Sequence, residues 1–294
     1  MNLNLFVTVF LSLTTYVISD YNILSFSGAG SFGSVEIGIL SKLSDTNAIP
    51  ETFDLYTGIS AGGLNAGFLS HFPSIKEGLE PIKKIMEKLS NRNVFEIMPR
   101  TNVSLFNTAP LENTIYTIIK SLEPSKIQTL IGTTNLYTGY LDTYYYNTLE
   151  LSDQTKLLMA TSAIPLAFPP IKWKDQLYVD GGEIANQMLE PITSSNDFIN
   201  VTYITTTGGL EVNYNIETFE DIIKRNAEIV LSTFDNTIFS LNTNCGSNKI
   251  RGNIYMYFVD SSKLEGYSSM NFNYGKELLE IGYNNVEYKK YNLC

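Results

Sequence analysis

The sequence is short of basic residues: 20 Lys and Arg stand against 30 Asp and Glu, which gives a net charge of -10 at pH 7. This balance argues against nucleic acid as a partner, because neutralising its phosphates requires clustered Lys and Arg. It also disfavours electrostatic docking on anionic lipid, to which each basic residue contributes about 1 kcal/mol. A neutral or zwitterionic lipid, contacted through apolar side chains, remains compatible with the composition.

Cysteine is scarce as well. Cys245 and Cys294 are the only two, and their spacing matches neither a metal site nor a redox pair. One interpretation is a disulfide that ties the C-terminus to the body of the protein. Two free thiols are the other.

Long apolar runs are absent after the first 19 residues, so we expect no transmembrane span in the mature chain. Residues 1–19 are largely apolar and end in a small residue, which is typical of a signal peptide cleaved after Ser19. This segment lacks Lys and Arg, and an N-terminal anchor helix is the alternative. We expect a secreted protein, extracellular or in the lumen of the secretory pathway. The sequons beginning at Asn102 and Asn200 predict a glycoprotein.

Repeats, low-complexity tracts and linkers are absent too, which predicts one domain over residues 20–294. Short apolar strands alternate with helices, which predicts an α/β fold: a three-layer sandwich with a mostly parallel central sheet. In such sheets the site lies beyond the carboxyl ends of the strands. The predicted strands are 21–27, 53–56, 129–146 (one or two strands), 176–179, 201–205 and 254–259, and the main predicted helices are 33–43, 61–71, 75–89, 111–122, 153–162 and 219–241.

The segment Gly58-Ile59-Ser60-Ala61-Gly62 matches G-x-S-x-G. In this pattern the serine occupies a tight turn between a strand and a helix, and glycines two residues away on either side let the backbones approach. The predicted strand before Ser60 and the predicted helix after it fit that geometry. Ser60 is therefore the candidate nucleophile.

A serine hydroxyl needs a neighbouring base, and His71 is the only histidine in the chain. It follows Ser60 by eleven residues on the same predicted helix, about 16 Å away, which is beyond hydrogen-bond reach. Carboxylates are then the natural candidates for the base. Asp180 is the best candidate, because it ends an apolar strand and two glycines follow it. A simple Asp-Gly turn is the alternative interpretation.

The Gly-rich loop Ser27 to Gly33 follows the first predicted strand and opens a helix. Backbone N–H groups in such a loop converge on an anion. The loop also fits the G-x-G-x-x-G fingerprint of dinucleotide-binding sites. However, the second strand ends in the serine motif where that fingerprint expects an acidic residue. We therefore favour an oxyanion hole, in which one donor is commonly worth about 3 kcal/mol of barrier.

Together these segments resemble the patatin-like phospholipase family over about residues 24–191. The first block is similar to the family's G-G-G-x-[KR]-G followed by G-[VI]-L, although Ala29 replaces the middle glycine and Phe32 the basic residue. Beyond residue 194 we find no family motif. The matching blocks are Gly28 to Gly33 with Gly38-Ile39-Leu40, Gly58 to Gly62, Thr133 to Gly139, Ala160 to Pro165, Phe168-Pro169-Pro170, and Asp180-Gly181-Gly182 with Asn186.

The resemblance implies a patatin-like catalytic domain that hydrolyses fatty acyl esters of glycerolipids or phospholipids at a membrane or micelle surface. Ser60 would form the acyl-enzyme and Asp180 would be its general base. Backbone N–H groups around Gly28, Ala29, Gly30 and Ser31 would hold the oxyanion, with no metal or cofactor required. The alternatives are a non-catalytic secreted storage or lipid-binding protein of this fold and an esterase or protease acting on non-lipid acyl groups.

Overall fold

The computed structural model describes residues 20–97, 103–188, 198–206, 217, 218, 222, 225 and 251–293. The predicted signal peptide, Asn102, both cysteines and almost all of the predicted helix 219–241 lie outside these residues. The strands are β1 (Tyr21–Phe26), β2 (Leu55–Ile59), β3 (Glu96–Ile97), β4 (Phe106–Asn107), β5 (Thr129–Asn135), β6 (Leu141–Tyr145), β7 (Ile171–Trp173), β8 (Gln176–Asp180), β9 (Phe198–Thr205), β10 (Arg251–Phe258) and β11 (Glu287–Leu293). The helices are α1 (Gly33–Asp45), α2 (Ala61–Leu69), α3 (Ile75–Lys88), α4 (Asn91–Val94), α5 (Ala109–Lys120), α6 (Leu151–Thr161) and α7 (Gly275–Asn284).

One large sheet organises the molecule, in the order β11-β10-β9-β1-β2-β5-β8-β7, with β6 paired to β5 outside this path. The five strands from β10 to β5 run parallel, while β11, β6 and β8 run antiparallel to their neighbours, as β7 does to β8. The mixed α/β class with a mostly parallel central sheet, predicted from the sequence, is confirmed.

The central strands are buried on both faces, as their apolar sequences predict. Leu24, Phe26 and Tyr56 pack on one face against helices that include α1, α3 and α7, while Ile23 and Leu55 belong to an apolar cluster on the other face. All helices that pack on the sheet within the described residues lie against the first face. A three-layer sandwich requires both faces of the sheet to be buried, and the apolar residues of the second face are buried as well.

Strand β2 differs from its predicted position, because it spans Leu55–Ile59 rather than residues 53–56. Gly58 belongs to the strand, paired with Phe26 on one side and Ile131 on the other. A glycine is disfavoured inside a strand unless another backbone approaches closely. Here a Cβ at Gly58 would overlap the backbone of Gly62, which explains the glycine.

The C-terminal part contains a helix and a strand that were not predicted from the sequence. Helix α7 packs along α1 at a close crossing, where a Cβ on Gly38 would overlap the carbonyl oxygen of Leu279, and one on Gly282 that of Val35. Strand β11 then closes one edge of the sheet beside β10. Across the described ranges, no helix has both the length and the apolar character needed to span a membrane.

Candidate active site

The turn between β2 and α2 holds Ser60 in an unusual backbone conformation, with φ of 54° and ψ of −127°. A non-glycine residue with positive φ marks strain that is common at functional sites. The flanking glycines make the turn possible: a Cβ at Gly62 would overlap the carbonyl oxygen of Ser27, just as one at Gly58 would overlap Gly62. The turn has the strand-serine-helix geometry that the G-x-S-x-G pattern predicts.

Ser60 and Asp180 are brought together from elements 120 residues apart. The Ser60 hydroxyl donates to Oδ2 of Asp180 at 2.6 Å, and the backbone N–H of Gly182 donates to Oδ1 at 2.8 Å. Both side chains are buried, with 5% of their surface exposed. The two sequence-predicted residues therefore form one hydrogen-bonded pair.

Burial controls the charge of Asp180. Loss of solvation raises the pKa of this carboxyl to about 7, against the hydrogen bonds from Ser60 and Gly182, which lower it; the nearby Glu183 carboxylate adds a smaller upward effect. A general base works best when its pKa lies near the operating pH. Asp180 therefore has the acidity that a base at neutral pH requires.

Thr161, at the end of α6, holds the backbone of the serine turn. Its hydroxyl accepts from the N–H of Ser60 at 2.9 Å and donates to the carbonyl oxygen of Gly132 at 2.6 Å. The residue is fully buried. Because the N–H of Ser60 is already used, it is not free to bind an oxyanion. Thr161 lies in the block Ala160 to Pro165 that resembles the family, but its role is not predictable from the sequence, since only the tertiary structure shows its partners.

The four backbone N–H groups predicted as oxyanion donors in the Gly-rich loop differ in whether they are already hydrogen-bonded. The N–H of Gly28 donates to Oδ1 of Asn186 at 3.0 Å, and the N–H of Ser31 donates to the carbonyl oxygen of Ser269 at 2.7 Å. The N–H groups of Ala29 and Gly30 have no acceptor in the described part of the chain. These two amides are the ones left available for an anion.

A buried carboxyl supports this loop from behind. Glu36, on α1, accepts from the N–H of Ser27 at 3.1 Å and from its hydroxyl at 2.9 Å, while the Asn65 amide lies 3.0 Å from its other oxygen. Asn65 also donates to the carbonyl oxygen of Gly33 at 3.1 Å. Burial raises the pKa of Glu36 well above its usual range. The network joins the Gly-rich loop to the helix that follows Ser60.

His71 makes hydrogen bonds away from the site. It follows the end of α2, with Nδ1 at 2.6 Å from the carbonyl oxygen of Glu123 and Nε2 at 2.9 Å from the hydroxyl of Tyr146. A carbonyl oxygen only accepts, so Nδ1 carries the proton and Nε2 accepts from Tyr146. Both ring nitrogens are thus bonded to groups other than Ser60 and Asp180, consistent with the inference that the base is not a histidine.

Neither the cavity near the site nor the acidic residues of the described chain form a ligand site around Ser60 and Asp180. An apolar cavity of about 90 Å³ lies between α2, α3 and α5, with Asn65 and Thr114 as its polar lining residues; neither Ser60 nor Asp180 lines it. Among the described residues, no group of three or more His, Cys, Asp and Glu side chains could hold a metal ion.

Comparison with known proteins identifies the region that contains the site. The sequence profile of the family described as patatin-like phospholipase matches residues 24–196, which is more than half of the chain. This range includes Ser60, Asp180, Thr161 and the whole Gly-rich loop.

The relatives are distant. An uncharacterised protein of Acanthamoeba polyphaga mimivirus is 28% identical over 266 residues, covering 85% of this chain and 86% of its own length. A cGAMP-activated phospholipase of Vibrio cholerae is 28% identical over 196 residues, and this chain spans 55% of its length. A cGAMP-activated phospholipase of Pseudomonas aeruginosa is 26% identical over 187 residues, and this chain spans 54% of it. Among solved structures, VipD from Legionella pneumophila aligns with a TM-score of 0.47 and 13% identity over 90% of this chain and 66% of VipD.

Proposed function

The chain belongs to the patatin-like phospholipase family, and from this premise we propose that it hydrolyses fatty acyl esters of glycerolipids by a Ser60–Asp180 dyad. The observation that carries the proposal is the 2.6 Å hydrogen bond from the Ser60 hydroxyl to the Asp180 carboxylate. Family membership and the phospholipase relatives support lipid hydrolysis in general. The dyad and its chemistry are our inference from the geometry.

In the acylation step, Oγ of Ser60 attacks the ester carbonyl carbon while its proton passes to Oδ2 of Asp180. The carbonyl oxygen becomes negatively charged in the tetrahedral intermediate. We assign its stabilisation to the N–H groups of Ala29 and Gly30, since those of Gly28 and Ser31 are already bound. The intermediate then collapses, and the leaving alcohol takes the proton from Asp180.

Deacylation repeats these roles with water. Asp180 accepts a proton from the attacking water, and the hydroxide equivalent adds to the acyl carbon of the Ser60 ester. Collapse releases the fatty acid, and the proton held by Asp180 returns to Oγ of Ser60. The chain's own groups supply every proton transfer in both steps, so we expect chelating agents to leave the activity unchanged.

Secretion and glycosylation remain proposals. We retain residues 1–19 as a signal peptide, which would place the enzyme outside the cell or in the secretory lumen. Asn200, the sequon residue within the described ranges, lies in β9, where its amide donates to Asp20 and its oxygen accepts from Asn253. Both polar atoms of its side chain are thus engaged, so Asn102 is the stronger candidate for a glycan.

Labelling with a fluorophosphonate tests the dyad, because this probe reacts with activated serines. We expect one adduct, located at Ser60 by mass spectrometry in the wild-type protein. Ser60→Ala should abolish labelling and ester hydrolysis. Asp180→Asn should reduce both labelling and hydrolysis by a large factor. Its melting temperature at neutral pH should equal or exceed that of the wild type.

The control is Ser41→Ala, on α1, where the hydroxyl donates to the carbonyl oxygen of Ile37 in its own helix. This variant should be labelled like the wild type. An adduct at another residue, or hydrolysis that survives Ser60→Ala, would overturn the assignment. A folded wild-type protein that takes up no label would favour the non-catalytic storage or lipid-binding alternative.

A further inference from the structure

One turn of the chain lies further out along the strand direction of the sheet than Ser60 and Asp180. Ile59, just before Ser60, pairs with Gly132 on β5, and Asp180 pairs with Thr133. Strand β5 continues to Asn135, about 10 Å past Gly132 at 3.3 Å per residue. The turn 136–140 therefore projects from the same edge of the sheet as the site and extends further outward.

This turn has a defined conformation. Oδ1 of Asn135 accepts from the N–H groups of Tyr137 at 2.9 Å and Thr138 at 3.3 Å, and its amide donates to Asp142 at 2.9 Å. The N–H of Leu136 also donates to the carbonyl oxygen of Leu177 on β8, at 2.8 Å. The side chains of the turn are thus presented from a hydrogen-bonded base.

Exposed apolar side chains concentrate around this edge. The turn contributes Leu136, Tyr137 and Tyr140, which are 46%, 64% and 73% exposed. Ile184 is 52% exposed and lies four residues after Asp180. Leu166 is 59% exposed, in the loop whose Ala163 carbonyl accepts from the N–H of Asp180. We call these five residues, Leu136, Tyr137, Tyr140, Leu166 and Ile184, the rim surface.

Charge is nearly absent from the segments that build the rim surface. Residues 136–140, 163–169 and 181–188 contain a single charged residue, Glu183, although 17% of the whole chain is charged. The flanking charges are of both signs: the neighbouring hairpin of β7 and β8 carries exposed Lys172, Lys174 and Asp175, and Asp142 lies at the base of the turn. An uncharged surface that includes two exposed tyrosines suits the headgroup region of a membrane, where tyrosine is enriched.

We propose that the rim surface docks the protein on zwitterionic phospholipid membranes, with the Ser60 edge of the sheet facing the lipid. This inference rests on the proposed lipid hydrolysis and adds the binding face and the lipid class to it. The chain's net charge of -10 argues against anionic lipid as the preferred surface. Apolar contact is then the main attraction, and it scales with the apolar area buried.

The test separates binding from catalysis. Binding to phosphatidylcholine vesicles is measured by cosedimentation in a Ser60→Ala background, so that hydrolysis does not alter the vesicles. Adding Tyr137→Ser and Tyr140→Ser should weaken binding at least about tenfold, because two exposed aromatic side chains are removed from the interface. With Ser60 intact, the same double variant should hydrolyse a dissolved short-chain nitrophenyl ester at the wild-type rate and lose activity on vesicles.

Tyr145→Ser is the matched control. Tyr145 is 48% exposed and lies on β6, five residues from Tyr140, about 17 Å away toward the opposite edge of the sheet. It should leave vesicle binding unchanged.

The proposal is overturned if the Ser60→Ala protein does not bind the vesicles, or if the Tyr137→Ser, Tyr140→Ser double variant binds them as tightly as the Ser60→Ala protein does. It is also overturned if Tyr145→Ser weakens binding as much as the double variant. A change of oligomeric state in the double variant with unchanged vesicle binding would instead identify a contact between copies of the chain. A wild-type protein that does not hydrolyse the dissolved ester would count against the proposed function. Vesicle binding, in contrast, tests the docking face alone.

Discussion

Asp180 has to satisfy two opposing demands. Its oxygens accept from Ser60 and Gly182, which favours the charged form, but burial removes the water that would otherwise solvate the charge. The result is a pKa of about 7 rather than the usual value near 4. A buried carboxylate of this kind is costly to the fold when it is ionised, and the ionised form is the one that the proposed mechanism requires to accept the proton of Ser60.

This balance predicts opposite pH trends for activity and stability. We expect kcat/KM for a dissolved ester to rise with pH through a midpoint of about 7, as Asp180 loses its proton. Since the folded-state pKa lies above the unfolded value, the stability contributed by Asp180 is fully present below the unfolded pKa and is lost as pH rises through about 7.

The stability trend is measured as the difference in melting temperature between Asp180→Asn and the wild type from acid to mildly alkaline pH. The variant cannot ionise at this position, so its relative advantage should grow as the pH increases. A difference in melting temperature that stays constant across this pH range would contradict the raised pKa of Asp180.

Thr161 gives a second prediction at the residue scale. Thr161→Val keeps the shape of the side chain but removes the partner of the buried N–H of Ser60, which should cost about 1–3 kcal/mol of unfolding free energy and lower kcat. Thr161→Ser keeps the hydroxyl and should retain most of the activity. Denaturant unfolding and ester kinetics on both variants check this. Equal losses in the two would show that methyl packing, rather than the hydrogen bonds, is what matters.

At the scale of elements, the site depends on how helices approach one another. Glu36 and Asn65 join α1 to α2, so the Gly-rich loop and the serine turn are held in one frame. Helix α7 packs against α1 from the C-terminal part of the chain, beyond the region that the family profile matches. The C-terminal part thus supports the helix that opens from the Gly-rich loop.

The α1–α7 crossing predicts a strong effect of one methyl group. Gly38→Ala would push its Cβ into the backbone of Leu279 and Gly282, where no side chain can rotate away, and should destabilise the protein by about 1–3 kcal/mol. Gly67→Ala, inside α2, is the control, because its Cβ would meet the end of the Leu158 side chain, which can shift. Denaturant unfolding compares the two. A Gly38→Ala protein as stable as Gly67→Ala would show that the helices separate at little cost.

For the whole molecule, an excess of ten negative charges predicts how it meets membranes. Apolar docking on phosphatidylcholine should change little between about 0.05 M and about 0.5 M salt, whereas repulsion from phosphatidylserine vesicles should be strongest at low salt, where screening is weak. Cosedimentation of the Ser60→Ala protein with each vesicle type measures both. Binding to phosphatidylserine that weakens as salt is added would indicate a basic docking site instead.

The fold class and the family were predictable because they depend on local patterns. Apolar strands that alternate with helices predict a mostly parallel sheet, and the G-x-S-x-G spacing predicts the turn at Ser60 because glycines must lie where backbones touch. Because the single histidine follows Ser60 on the same predicted helix, histidine, the usual base, could be excluded from the sequence. Boundaries were less accurate: the second strand was predicted over residues 53–56, yet β2 extends through Gly58, a glycine that the close approach of Gly62 requires.

Tertiary structure decided what depends on distant segments. Both catalytic candidates were expected at the carboxyl edge of a parallel sheet, but Asp180 lies on an antiparallel strand and meets Ser60 because Thr133 pairs with it. The same holds for Thr161 and for the oxyanion donors, since only contacts with Asn186 and Ser269 distinguish the occupied amides of Gly28 and Ser31 from those of Ala29 and Gly30. Residue types and spacing identify which groups can react because chemistry is local. Which of them meet, and which are already bound, is set by long-range strand pairing and packing.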